Sequence, residues 1–256
     1  MKHPLRTLLL AVCCGLAAAC TQRQERLKLM SYNIRNGIGI DNIQDIGRIA
    51  RVILREAPDL VALQELDSAT LRVDGRYIPG ELGRMTGMHA TFGRAIGFAG
   101  GSYGVGLLSR TEPFAVRSIP LPGREEARVL LMAEFPDYTV CVTHLSLTPE
   151  DRLASLPIIR EATDTCRKPV LLAGDFNTGN AAAVLAGLGG FRILSDTTRM
   201  TFPSDNPAVR IDYILGRGLP TSATVAESAV DHTATASDHC PLWVTLVWKR
   251  GKQPGK

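Results

Sequence analysis

The sequence predicts a layered α/β domain. Apolar runs of strand length, rich in Val, Leu and Ile and bounded by Gly, Pro or polar residues, recur along the chain. Some are separated by patterns with helical spacing and others follow one another as hairpins, so the expected sheets are mixed and covered by helices. At 256 residues and 45% hydrophobic content, the chain is long enough for one sizeable core and short for two.

The N-terminus precedes that domain. Lys2 and Arg6 are followed by an apolar stretch from Leu8 to Ala19 and by Cys20 after three alanines, the order of a charged region, a hydrophobic core and a small-residue cleavage site. Residues 1–19 therefore read as an export signal, too short to span a membrane as a mature helix. Leu16-Ala-Ala-Ala-Cys20 also resembles a bacterial lipobox, in which the cysteine is lipidated and becomes the new N-terminus. Ala17 stands where a larger aliphatic residue is usual, and plain cleavage or an uncleaved anchor are the alternatives. On the lipoprotein reading the protein sits in the cell envelope, held to a membrane by a lipid on Cys20. Residues 20–26 are then a polar tether, 27–249 the folded domain, and 250–256 a disordered basic tail.

Within the domain, strands are expected at Leu27–Ile34, Leu60–Gln64, Val105–Ser109, Val129–Phe135, Tyr138–Thr143, Val170–Ala173, Ile211–Leu215 and Leu242–Trp248. Ile43, Ile46, Ile49, Ala50, Ile53 and Leu54 fall at helical spacing, and Pro58 ends that element. A second helix from about Pro149 to Cys166 places Leu153, Leu156, Ile159 and Ala162 on one face, with a kink or late start expected at Pro157. A third, Ala181 to Leu188, stops at Gly189-Gly190. The Gly-rich polar segments Asp67–Gly101 and Gly179–Pro207 are expected to carry loops around a site.

Charge and cysteine usage narrow the function. Without Lys2 and Arg6 the 29 basic residues become 27 against 25 acidic ones, so the mature chain is about +2 rather than the formal +4. No Lys/Arg run follows the leader, whereas non-specific duplex binders usually carry a strong basic excess. Cys141, Cys166 and Cys240 remain after the leader, an odd number that cannot form a full disulfide framework; Cys141 and Cys240 lie in apolar runs and read as small buried residues.

Polar motifs end several of the apolar runs: Ser31-Tyr32-Asn33, Gln64-Glu65, Thr143-His144, Gly174-Asp175-Phe176-Asn177, Ile211-Asp212-Tyr213 and Ser237-Asp238-His239. Together they supply what breaking a phosphate ester with a divalent cation requires: oxygen ligands in an open site, a group to aim water at phosphorus, and donors for the developing charge. Glu65, at the end of an apolar run, reads as the principal metal ligand. Asn33 can hold a ligand, the metal's water or a phosphate oxygen, although alone it is more often a turn residue. Gly174 permits a tight exit from its strand, Asp175 can take a proton from the attacking water, and Asn177, two residues on, can donate to a phosphate oxygen; an Asx turn would use the same letters. An adjacent or nearby carboxylate would keep His239 charged and oriented, and Asp212, in a buried-looking strand, must be paired, with His239 or a metal-bound water as its natural partner. His144 is a candidate general acid or phosphate donor, with a satisfied structural histidine as its competitor. His89 and His232 read as ordinary surface residues.

The ordered series Asn33, Glu65, Tyr103-Gly104, His144, Asp175-Phe-Asn177, Asp212 and Asp238-His239, from Leu27 to Trp248, resembles the endonuclease/exonuclease/phosphatase superfamily. That superfamily includes deoxyribonuclease-I-like nucleases, abasic-site endonucleases, bacterial sphingomyelinases and inositol polyphosphate 5-phosphatases. The resemblance implies a four-layer sandwich, two packed mixed β-sheets flanked by helices, with the site at one end of the sheets. It also implies Mg²⁺ or Mn²⁺, with Glu65, Asn33 and Asp238 on the metal side, Asp175 activating water, and His239 with Asp238 holding the phosphate. Asn177 and Asp212 complete the site, and Tyr103 touches a phosphate oxygen. Gly123–Arg128 and Thr201-Phe202-Pro203 resemble pocket walls of small bacterial members. The expected activity is phosphoester hydrolysis by a monomer, on a small or lipid-linked substrate; a DNA or RNA phosphodiesterase is the alternative. A non-catalytic binding protein on the same fold would be expected to lack Glu65, Asp175 or His239, and all three are present.

Overall fold

A computed structural model describes residues 24–249, so the leader, Cys20 and the tail from 250 lie outside the described residues. In chain order the strands are β1 (Gln24–Asn33), β2 (Leu60–Ser68), β3 (His89–Phe98), β4 (Gly101–Ser109), β5 (Ala115–Leu121), β6 (Arg128–Glu134), β7 (Thr139–His144), β8 (Val170–Asp175), β9 (Arg192–Ile193), β10 (Asp212–Arg217), β11 (Thr224–Val230) and β12 (Leu242–Lys249). The helices are α1 (Ile46–Glu56), α2 (Ile78–Thr86), α3 (Pro149–Asp164) and α4 (Ala181–Leu188). Two six-stranded sheets result, ordered β11-β12-β1-β2-β4-β3 and β5-β6-β7-β8-β10-β9.

Strand alternation explains the layering. Leu29, Leu60 and Leu107 of the first sheet meet Leu131, Val142 and Ile214 of the second in the central core. The opposite faces are covered by helices. Ile49 and Ile53 of α1 and Leu82 of α2 pack on Met30, Val61 and Leu63, while Leu156 and Ile159 of α3 and Val184 of α4 pack on Met132, Leu172 and Leu215. This is the expected four-layer sandwich.

Pairing register decides where the polar strand ends meet. β1 and β2 run parallel with Asn33 opposite Gln64. In the other sheet β7 and β8 are parallel with His144 opposite Asp175, and antiparallel β10 sets Asp212 opposite Asp175 from the other side. His144, Asp175 and Asp212 thus form one row across three strands.

The structure corrects several sequence expectations. Gln24, Glu25 and Arg26, assigned to the tether, already belong to β1 and pair with Lys249, Trp248 and Val247. Asp67–Gly101 is not all loop, since it carries α2 and β3. With Pro79, Gly80 and Gly83, α2 is compositionally loop-like, but Ile78 and Leu82 are buried and hold it on the sheet. Three further strands, β5, β9 and β11, lie outside the expected runs; β5 and β11 are mostly exposed edge strands with little apolar pattern. The first helix begins at Ile46, capped by the Asp45 side chain accepting from Arg48 N at 3.3 Å, so Ile43 lies outside it. α3 runs through Pro157, and Leu153 is exposed rather than on the buried face. Cys141 and Cys240 are buried, as expected, and Cys141, Cys166 and Cys240, the cysteines among the described residues, are free thiols.

Candidate active site

The site lies where β1, β7 and β8 end and β10 begins, beside a bulge in β2, and is closed by the loop entering β12. Asn33 is buried at its centre, and its Nδ2 donates to Glu65 Oε1 at 3.0 Å and Asp175 Oδ2 at 3.1 Å. Its Oδ1 accepts from Arg35 N at 3.1 Å, and its backbone carbonyl accepts from Ser237 Oγ at 2.7 Å. One side chain on the first sheet is therefore tied to a carboxylate on each sheet and to the loop bearing Asp238 and His239.

Glu65 does not end its strand. β2 continues to Ser68, and the β2–β4 register slips between Leu63 and Leu66, a bulge in which Glu65 adopts φ 57°. Leu63 and Leu66 both face α1 and α2, so the bulge turns Glu65 and Asp67 together toward the inter-sheet side. A left-handed glutamate is costly by about 1–3 kcal/mol. Here the distortion aims a part-exposed carboxylate at Asn33.

Gly174 also differs from expectation. It lies inside β8, and a Cβ there would meet the Thr143 carbonyl oxygen at 2.0 Å, so glycine serves the close approach of β7 rather than a turn. Beyond it, Asp175 Oδ1 accepts from Asn177 N at 2.8 Å in an Asx turn, and Asn177 Nδ2 donates to the Leu145 carbonyl at 2.8 Å. Asn177 thus ties the β8 exit to the loop after His144, leaving one of its two amide hydrogens for a substrate.

Asp212 is the carboxylate that holds His239. Its Oδ2 lies 3.0 Å from His239 Nδ1, whereas neighbouring Asp238 turns toward Arg35 Nε at 3.4 Å. His239 is buried, which pulls its pKa down, but Asp212, Asp175 and Asp238 more than offset that and raise it to about 10. Nδ1–H of the imidazolium goes to Asp212, and Nε2 lies 3.4 Å from Asn33 Nδ2 and 3.7 Å from Asp175 Oδ2, at ion-pair distance. His144 shows the opposite balance. Burial, with Arg128 nearby, lowers its pKa to about 4 despite Asp175 Oδ2 at 3.5 Å, so it is neutral at pH 7. Burial raises Glu65, with Asn33 opposing, and raises Asp175, with Asp212 adding to the effect.

This donor set fits a divalent cation. Glu65 and Asp175 carboxylate oxygens converge on Asn33, Asp212 Oδ1 is buried without a hydrogen bond, and Glu65 feels both Asp175 and Asp238 across Asn33. Buried carboxylates crowded in this way are stabilised by added positive charge, which a divalent cation would supply.

Tyr103 stands opposite Asp67 on β4, nearly buried, its phenol pKa raised by burial. Beside it lie His144, Glu126 and Arg128, which line a small cavity, and Arg128 Nη1 donates to Glu126 Oε1 at 2.9 Å. Glu125 fastens this wall to the loop after His144 through Ser146 Oγ at 2.8 Å and Leu147 N at 2.7 Å. On the other side the Phe202 ring packs on His239, 4.8 Å between centroids, and Thr201 Oγ1 accepts from Asp212 N at 3.3 Å. Both expected wall segments border the site. His89 lies at the opposite end, opposite Ser109, and His232 is an exposed loop residue 3.0 Å from the Met200 carbonyl. Arg72 and Asn36 were not anticipated from sequence; they hydrogen-bond to each other at 2.7 Å beside Tyr103, and only the proximity of Asp67 to Glu65 hinted at them.

Residues 30–239 match the Endonuclease/Exonuclease/phosphatase family. The chain belongs to that family. Its members are metal-dependent phosphoester hydrolases, and this chain is an enzyme of that class. No curated protein matches it. Among solved structures it is similar to a family protein from Bacteroides thetaiotaomicron (20% identity, 89% of this chain and 100% of that one, TM-score 0.72). A mannosyl-6-phosphatase from the same organism is similar at 19% identity, covering 86% and 99%, with TM-score 0.68. A humanized D. rerio TDP2 is similar at 20% identity, covering 86% and 98%, with TM-score 0.63. At these identities the structural likeness speaks for the fold.

Proposed function

We propose that this chain is an exported, Mg²⁺- or Mn²⁺-dependent phosphoesterase acting on a small soluble phosphoester. The observation that carries the reading is the row His144, Asp175, Asp212 facing Asn33 and Glu65, with His239 held as a cation between the sheets. A cation held by Glu65, Asn33 and Asp238 would neutralise a phosphate oxygen and make phosphorus more electrophilic. Asp175 takes the proton of the attacking water; Asn33, donating to Asp175 Oδ2, and Asn177 N, donating to Oδ1, fix its direction. His239 Nε2–H and the remaining amide hydrogen of Asn177 stabilise charge on the phosphoryl oxygens, while Asp212 keeps the imidazolium in orientation. Neutral His144 and Tyr103 supply further donors along the same rim.

The course of β1 supports a soluble substrate over a lipid-linked one. β1 runs from the tether side to the site, so Asn33 lies about 30 Å of strand away from Gln24. A short tether to Cys20 would turn the rim away from its own membrane and toward soluble esters. The near-neutral mature charge and the fold shared with a sugar-phosphate phosphatase support the same reading.

Phosphate release from sugar phosphates should require Mg²⁺ and stop in EDTA, while plasmid DNA under the same conditions should remain intact. Plasmid nicking without phosphate release would replace the reading with a nuclease. Absence of metal-dependent activity on every ester would remove it.

A further inference from the structure

Beyond the bulge, Asp67 lies on the same face of β2 as Glu65, about 7 Å further along. Its buried carboxylate accepts from Thr70 Oγ1 at 3.0 Å and from Arg72 Nε at 2.7 Å. Arg72 Nη2 donates to Asn36 Oδ1 at 2.7 Å, and Asn36 is itself buried in a left-handed turn three residues after Asn33. The guanidinium carbon stands 4.6 Å from the centroid of Phe98 and 5.1 Å from that of Tyr103. Three contacts of different kinds thus fix one side chain, which still keeps 36% of its surface exposed. Its Nη1 has no hydrogen-bond partner among the described residues.

A bland role is available: Arg72 could serve only to neutralise Asp67. The bonding pattern points further. An arginine placed for charge alone would present both arms of its fork to the carboxylate, yet Asp67 Oδ1 goes to Thr70 and the second arm goes to a neutral amide. The remaining arm has no hydrogen-bond partner among the described residues, and the guanidinium lies over two aromatic rings with part of its surface exposed. Glu126, another carboxylate within electrostatic reach of Arg72, is already paired with Arg128. A preorganised guanidinium with a free N–H₂ suits a phosphate or carboxylate oxygen and loses little freedom in binding it.

We propose that Arg72, backed by Phe98 and Tyr103, binds a second anionic group of the substrate, a phosphate or carboxylate beyond the scissile phosphoester. The proposal rests on the phosphoesterase reading above and makes a bisphosphorylated sugar a better substrate than its monophosphate.

The test is the ratio of two affinities. Glucose 1,6-bisphosphate and glucose 6-phosphate are titrated calorimetrically, in Mg²⁺, into the full chain carrying Asp175→Ala so that turnover does not intrude. The bisphosphate should bind about tenfold more tightly. Adding Asp67→Asn with Arg72→Met removes the pair together, leaving no buried carboxylate unpaired, and should bring the ratio toward one; Arg72→Lys, which keeps charge but not the fork, should fall between. A thermal melt of each variant checks that it folds. Equal affinities in the Asp175→Ala chain, including no measurable binding of either sugar, or a ratio that the paired substitution leaves unmoved, would overturn the assignment. Phosphate release by the unaltered enzyme is followed separately. Mg²⁺-dependent release without discrimination removes Arg72 alone, whereas absence of release counts against the phosphoesterase reading beneath it.

Discussion

The two ends of the sandwich are built from the same strands and obey different rules. At the end where β1 begins, Leu27, Tyr138, Leu171, Leu246 and Trp248 surround a small apolar cavity between the sheets, and charged groups sit in surface pairs such as Arg110–Asp59 at 3.5 Å. At the other end Asp175 and Asp212 are buried, and Arg35, Asn36, Glu65 and Asn177 around them have positive φ. The first end closes the core without a buried carboxylate among the described residues. The other stores buried charge and backbone strain of about 1–3 kcal/mol per residue, tolerable because the sheets and their helices hold it in place. The contrast teaches that the site's geometry is confined to one end of the sheets, while stability is supplied by the strand middles and the far end.

The sharpest break of this contrast is Asp175→Ala. Turnover should fall by a factor on the order of 10³ or more, measured as phosphate release, while the metal-free protein melts at the same temperature or higher because a crowded buried carboxylate has gone. An unchanged rate would remove Asp175 from its role. Next comes a pair of histidines at opposite ends. His144→Ala should lower kcat/KM by about 10²-fold, and His89→Ala should leave it within about twofold; equal effects would erase the distinction between the ends.

A third measurement reads the electrostatics in EDTA, as urea-unfolding stability against pH. The folded-state pKa of His239 is raised from 6.5 to about 10, so its contribution is fully present below pH 6.5 and lost as pH rises through 10. His144, lowered from 6.5 to about 4, acts in reverse, and its neutral burial costs stability as pH falls from 6.5 toward 4. Asp212→Asn should flatten the slope above pH 6.5, because the carboxylate that raises His239 has gone. The smallest expected effect on catalysis comes from the far end. Leu171→Ala should cost about 2–5 kcal/mol of stability, read by urea unfolding, with turnover of the folded fraction unchanged.

Much of this was legible in the chain. The helix Ala181–Leu188 and the strand runs that carry Asn33, His144, Asp175 and Asp212 follow from local periodicity and punctuation, because each segment buries a face its own sequence marks. α2 and β3 were not legible, since their glycines and prolines resemble loop until the sheet supplies the partner that buries Ile78 and Leu82. Among site residues the types were readable, and so was one pairing: Asp212, expected to partner His239 or a metal-bound water, contacts His239 across 27 residues. The ties of Asn33 to Glu65 and Asp175 were not readable. Arg72 carried no motif, and its importance arises only from the register that sets Tyr103 opposite Asp67.

By itself the sequence determined the inventory: apolar runs of strand length, each ending in a residue able to handle a proton, a cation or a phosphate oxygen. Tertiary structure decided the arrangement. Whether Glu65 faces the site depends on a bulge against β4, and whether a histidine is a cation or neutral depends on which carboxylates other strands bring near and how much water they exclude. Those are long-range effects, because strand register and local desolvation are properties of the packed sheets and of no single segment.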